Sequence, residues 1–155
     1  QAKFKIFDVN LRPPHYDIER ILATMKLADL VKLNDDELHE IASTLGSKYH
    51  SLEQNIRFLA DLSGAAKICV NLGSHRAMYY QEGQIYHNSG FRVKVADTVG
   101  SGDSFLAGLT YKLLNAAAPQ EALAFACALG ALVASYHGAT PEISLQQIES
   151  FMHPA

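Results

Sequence analysis

The chain has 155 residues, 48% of them apolar and 19% charged, with a formal net charge of −3. That balance describes one globular domain with a real core and excludes a disordered chain. With no basic run and no apolar stretch long enough to span a bilayer, neither nucleic acid nor membrane is an expected partner.

Phe4, Ile6 and Val9 outline a first strand within Lys3–Val9, broken by Arg12-Pro13-Pro14. Because the chain opens at Gln1 almost inside this strand, it is expected to be part of a longer chain whose front half is absent. Ile18, Ile21, Leu22 and Met25 recur at helical spacing, which predicts a helix over Asp17–Leu27. Leu30–Leu33 reads as a short buried strand. A helix from Asp35 to about Leu45 follows, with Gly46 as its stop. Ser51-x-x-Gln54 reads as a capping box ahead of the stripe Leu52, Ile56, Leu59 and Leu62. Ile68–Leu72 is a central strand, and Ala77–Gln81 with Gln84–Asn88 form a hairpin around Glu82-Gly83.

Phe91, Val93 and Val95 lead into Asp97-Thr98-Val99-Gly100-Ser101-Gly102-Asp103, behind which Phe105, Leu106, Leu109 and Leu113 mark a helix to about Asn115. A second helix starts at Pro119 and runs to about Tyr136. It is apolar on nearly every face, punctuated by Gly130. Ser144-x-x-Gln147 caps a short last helix. Strands alternating with helices predict an α/β sandwich on a mostly parallel sheet. Cys69 and Cys127 are isolated, which suggests neither a disulfide framework nor a metal knuckle. With no signal-peptide pattern, the expected setting is the reducing cytoplasm.

The glycine turn carries the chemistry. Glycines fold tightly and turn N–H groups outward, and a helix start adds unpaired donors and the positive end of a dipole. Together these seat an anion such as a phosphate. Asp103 at the rim could take a proton from an attacking hydroxyl. The plain alternative is a helix cap, with Ser101 as the N-cap. A Walker loop is excluded because no lysine follows Gly102, and a Rossmann fingerprint because Phe105 holds its third small position. Ligands in such sheets gather beyond the C-terminal strand ends. Three of those ends are polar here: Asp8–Arg12, Asn34–Glu37 and Asn71–Ser74. Asn34-x-x-Glu37 is equally a good capping box.

These segments, in this order, resemble the pfkB or ribokinase-like carbohydrate kinases. Asp97–Asp103 resembles the family's Asp-Thr-x-Gly-Ala-Gly-Asp, with Ser101 in place of alanine. The resemblance implies Asp103 as base and the amides of Gly100, Ser101, Gly102 and Asp103 as the anion hole. It implies that Asn34 and Glu37 hold magnesium through its waters. Asn71, Gly73 and Ser74 would contact nucleotide, although Asn71 replaces a threonine. Asp8-x-Asn10-x-Arg12 resembles a strand end of fructokinase-like members, which places Asn10 at the nucleotide and Arg12 at phosphate or substrate. Asp97, with carbonyls near Val99 and Gly138, resembles a monovalent-cation site, implying potassium.

The fold implied is the C-terminal portion of a three-layer α/β/α sandwich, with residues 1–155 as the phosphoryl-transfer half of a kinase domain. The front strands, the lid and the sugar-gripping residues are not among them, so this chain alone is expected to be inactive. The activity implied is ATP-dependent phosphorylation of a sugar hydroxyl, most like a fructokinase, with a homodimer expected for the full-length parent. Two alternatives stay open: a non-catalytic nucleotide-binding module, and a nucleoside- or hydroxymethylpyrimidine-type kinase.

Overall fold

The computed structural model describes residues 4–73, 76–136 and 142–153. Among them the elements run β1 (Ile6–Asp8), α1 (Ile18–Leu27), β2 (Leu30–Asn34), α2 (Asp35–Thr44), α3 (Leu52–Ser63), β3 (Lys67–Leu72), β4 (Arg76–Gln81), β5 (Gln84–Asn88), α4 (Ser101–Leu114), α5 (Pro119–Ala134) and α6 (Leu145–Met152). The sheet has the order β1-β2-β3-β4-β5. Residues through Leu72, with Met78–Ile85, pack as one unit; Gly73–Ala77 and the chain from Tyr86 onward pack as another.

In the first unit β1, β2 and β3 are parallel, with Asp8 opposite Lys32 and Asn34 opposite Asn71. Their C-terminal ends therefore share one edge, as the polar strand ends require. β3, β4 and β5 are joined by connections of three and two residues, too short for parallel neighbours, so the sheet is mixed. The β4–β5 turn has Glu82 at φ 49° and Gly83 at φ 87°, two left-handed residues whose twist suits a two-residue hairpin.

Caps set the helix ends in this unit. Asp17 Oδ1 accepts from the N–H groups of Glu19 and Arg20 at the start of α1. Gly46, at φ 105°, follows α2, and the left-handed Gly64 closes α3. The expected capping box at Ser51 is only half formed. Gln54 N–H donates to Ser51 Oγ, but the Gln54 side chain accepts from that hydroxyl rather than from the main chain. Met25, Leu38, Ile41, Ile56 and Leu59 from the helices meet Val31, Leu33, Ile68 and Val70 on one sheet face, all fully buried. Each such side chain contributes about 1.5–3 kcal/mol by leaving water. On the other face Leu30 and Cys69 are buried too, beside the part-exposed Lys32.

In the second unit α4 and α5 cross at two glycines. A Cβ on Gly108 would stand 3.0 Å from Leu129 Cδ2, and one on Gly130 would stand 3.2 Å from the Ser101 carbonyl oxygen. The apolar α5 is buried along Ala122, Leu123, Phe125, Ala126, Cys127 and Ala131, in keeping with its all-round apolar pattern. At α6 the capping box is complete: Gln147 N–H donates to Ser144 Oγ and Ser144 N–H to Gln147 Oε1. Phe91, Val93 and Val95 alternate without forming a strand. Phe91 instead packs against Phe151, centroids 5.3 Å apart and rings tilted by 44°, and the N–H groups of Ala96 and Asp97 both donate to the Ala134 carbonyl at the end of α5.

Candidate functional site

Two polar regions carry the residues that the sequence singles out. The first lies at the C-terminal ends of β1, β2 and β3. Just past β1, Asn10 adopts a left-handed φ of 47°, a conformation asparagine tolerates better than most side chains. The chain then turns away through Arg12 and the cis Pro13–Pro14 bond. Arg12 is exposed and borders a pocket of about 340 Å³ with Asn10, His15 and Arg20. Asp8 pairs with Lys32 on the neighbouring strand, 3.6 Å apart.

At the end of β2 the capping box is fully made. Glu37 N–H donates to Asn34 Oδ1 at 2.7 Å, and Asn34 N–H donates to Glu37 Oε1 at 2.9 Å. The other carboxylate oxygen is used as well, because Leu11 N–H donates to Glu37 Oε2 at 2.7 Å. The structure thus ties the Asn10–Arg12 segment to the Asn34–Glu37 segment. Asn71, at the end of β3, has its Oδ1 buried without a hydrogen-bond partner, a donor-seeking atom beside Asn34 in the sheet register.

Magnesium is the ion that this pattern would have to fit. The donor set is all oxygen, one carboxylate and one amide, and each bonded oxygen keeps a lone pair. Among the described residues no three metal-ligating side chains cluster. Magnesium takes oxygen ligands and keeps several waters, so a carboxylate and an amide oxygen suit it in kind.

The second region is the glycine turn. Asp97 Oδ1 accepts from Val99 N–H at 2.9 Å, which closes the turn's first bend. Gly100, at φ 82°, is the N-cap of α4, and no side chain caps it. The Ser101-as-cap alternative is therefore set aside: the Ser101 hydroxyl donates back to the Thr98 carbonyl at 3.0 Å. Ser101 N–H donates to the same carbonyl at 3.2 Å, so this amide, implied as part of the anion hole, is used within the turn. Among the described residues, the N–H groups of Gly100, Gly102 and Asp103 have no partner. Gly102 and Asp103 are exposed, and no described hydrogen bond or ion pair holds the Asp103 carboxylate.

The remaining assignments are local. Gly73 is exposed, and its carbonyl accepts from Arg76 N–H and Nε. Ser74 and Gly138 lie outside the described residues. Both cysteines are buried and neither forms a disulfide, and burial pushes the Cys127 thiol up to about 12, far from a nucleophile at neutral pH. Sequence reasoning missed three groups that shape these regions: Leu11 N–H, Gly130 behind Ser101, and the Ala134 carbonyl behind Asp97. Gly130 was visible as a lone glycine in an apolar helix; the other two are main-chain groups with no signature.

An α/β fold with polar parallel strand ends and a glycine turn at a helix start is an arrangement of the kind in which phosphates are bound. The pfkB family carbohydrate kinase model matches residues 1–145, and the chain belongs to that family. It is 29% identical to the aminoimidazole riboside kinase of Salmonella typhimurium, over 96% of this chain and 48% of that protein. A ribokinase II-type protein of Escherichia coli in complex with ATP and Mg²⁺ superposes with a TM-score of 0.81 at 25% identity, over 96% of this chain and 48% of that one. The fructokinase of Vibrio cholerae O395, a double mutant bound to fructose, ADP and potassium, does so with a TM-score of 0.75 at 28% identity, over 96% and 50%. The fold is the ribokinase-like α/β fold. The chain spans about a quarter to a half of the length of curated relatives it matches, from 26% to 48%.

Proposed function

We propose that this chain is the nucleotide-handling and phosphoryl-transfer half of an ATP-dependent sugar kinase of fructokinase type. The observation that carries the reading is the exposed Asp103 at the first turn of α4, beside main-chain N–H groups without partners among the described residues. Asp103 takes the proton of the acceptor hydroxyl as its oxygen attacks the γ-phosphorus, and the bond to ADP breaks. The amides of Gly100, Gly102 and Asp103 stabilise the charge on the transferred phosphoryl oxygens. Such transfer is mainly positioning and charge stabilisation, so a rigid seat and one base suffice in kind.

Asn34 and Glu37 would hold magnesium through its waters, and the ion when bound neutralises charge on the triphosphate. Arg12 suits a phosphate oxygen because its guanidinium donates two parallel bonds. Asn10, Asn71 and Gly73 serve the nucleotide, and Asp97 with the Val99 carbonyl serves a potassium ion. The sugar-gripping residues belong to a further half of the kinase.

The test is ADP release on addition of fructose and other sugars, by these residues alone and within a chain of full family length. Sugar-dependent ADP release by the longer chain and none by the shorter one is expected. ATP binding without turnover on any acceptor would replace this reading with a non-catalytic nucleotide-binding module. The similarity to aminoimidazole riboside kinase favours a second acceptor class, so a riboside belongs in the panel.

A further inference from the structure

We infer that Glu37 is a positioning residue that fixes the main chain between Asn10 and Arg12 and thereby aims Arg12 at the nucleotide phosphates. The inference rests on the reading of Arg12 as phosphate-facing and adds a role for Glu37 that needs no metal. The capping box accounts for one carboxylate oxygen only, Oε1, on Asn34 N–H. Oε2 reaches a residue 26 positions back in the chain, accepting from Leu11 N–H at 2.7 Å, and the helix has no need of that bond. Charge-assisted bonds of this length are among the stronger ones, and this one is part-buried.

The segment's other anchor is apolar and undirected, the half-buried Leu11 side chain packed against the core. Asn10 is left-handed, and the next N–H after this kink is Leu11. Arg12 is exposed, and no described side-chain contact orients it, so its direction is set by the backbone it leaves. Glu37 is itself held at two points, its main-chain N–H on Asn34 Oδ1 and its carboxylate Oε1 on Asn34 N–H. A glutamine there keeps the size but turns an NH₂ group toward one of two N–H donors, donor against donor. An aspartate falls short by one methylene.

The test uses a chain of full family length without metal, and needs no turnover. Amide hydrogen exchange at Leu11 is measured first in the unsubstituted protein, where protection is expected; rapid exchange there overturns the proposal without any variant. In Glu37→Gln, Leu11 exchange is expected to rise about tenfold or more. ATP affinity by calorimetry in EDTA is expected to fall about tenfold in Glu37→Gln and in Arg12→Ala, while the double variant is no weaker than Arg12→Ala. An affinity in EDTA left unchanged by Glu37→Gln, with only the magnesium requirement shifted, overturns it in favour of a purely metal-facing carboxylate. Additive losses in the double variant overturn the link to Arg12. A parent chain that binds no ATP defeats the kinase reading instead, and the Leu11 exchange comparison then decides the clamp alone.

Discussion

The polar groups around Glu37 and those of the glycine turn are treated in opposite ways. At Asn34, Glu37 and Leu11 every bonded donor has found an acceptor within the chain, two of them on one carboxylate. At Gly100, Gly102 and Asp103 the N–H donors have no described partner, and the one carboxylate among these residues is on an exposed side chain. The first arrangement makes stability; the second leaves it unclaimed. An unpaired donor is cheap in water and becomes valuable only when an anion arrives, so a binding seat is recognised by what folding leaves unsatisfied. The turn can stay in that condition because α5 braces it from behind, through Gly130 against the Ser101 carbonyl and through the Ala134 carbonyl on Ala96 and Asp97.

That contrast can be broken from either side. The largest effect is expected from Asp103→Asn in a full-length chain. Turnover should fall on the order of 10²-fold or more, the usual size of a general-base contribution, with little change in melting temperature. Near-normal turnover would remove Asp103 from the chemistry. Gly130→Val comes next, since even the first carbon of a side chain there stands 3.2 Å from the Ser101 carbonyl. Overpacking of this kind costs about 1–3 kcal/mol. The displaced turn should also cost about tenfold in kcat, read by steady-state kinetics.

Asn34→Ala removes the N-cap of α2 and should cost about 1 kcal/mol, seen as a lower melting temperature by a few degrees. An unchanged melting point would mean that the strand-end region is not a stability device. Gly102→Ala should have the smallest effect on folding: its Cβ meets nothing within 4 Å, and alanine is the better helix former by up to about 1 kcal/mol. Melting should hold or rise slightly while nucleotide turnover drops, because the methyl group intrudes on the seat. A loss of stability would show that the space in front of Gly102 is not open.

How much of this was legible depends on how local each cause is. Asn34-x-x-Glu37 and Ser144-x-x-Gln147 are read correctly because a capping box is decided within four residues. The Glu82-Gly83 hairpin and the all-apolar α5 follow from equally short-range rules. Ser51-x-x-Gln54 has the same residue types as Ser144-x-x-Gln147 yet closes by half, its glutamine oxygen taken by the serine hydroxyl, and nothing in the four residues tells the two apart. The alternation at Phe91, Val93 and Val95 mimics a strand, but its neighbours are helix residues such as Phe151. The exposed Asp103 and the narrower set of free amides sit where the glycine turn pointed, while the Leu11–Glu37 bond and the Gly130 contact join residues far apart in sequence. Nothing in a residue's type announces a partner of that kind.

The central claim is that the amides at the start of α4 receive the transferred phosphoryl group. The most direct measurement is the amide ¹H–¹⁵N shift of Gly100, Ser101, Gly102 and Asp103 as a non-hydrolysable ATP analogue is titrated into a full-length chain. The account predicts large downfield proton shifts at Gly100, Gly102 and Asp103, as newly bonded donors show, and a smaller one at Ser101, already bonded to Thr98. Saturating analogue with these four resonances unmoved, and shifts confined to other residues, would contradict it.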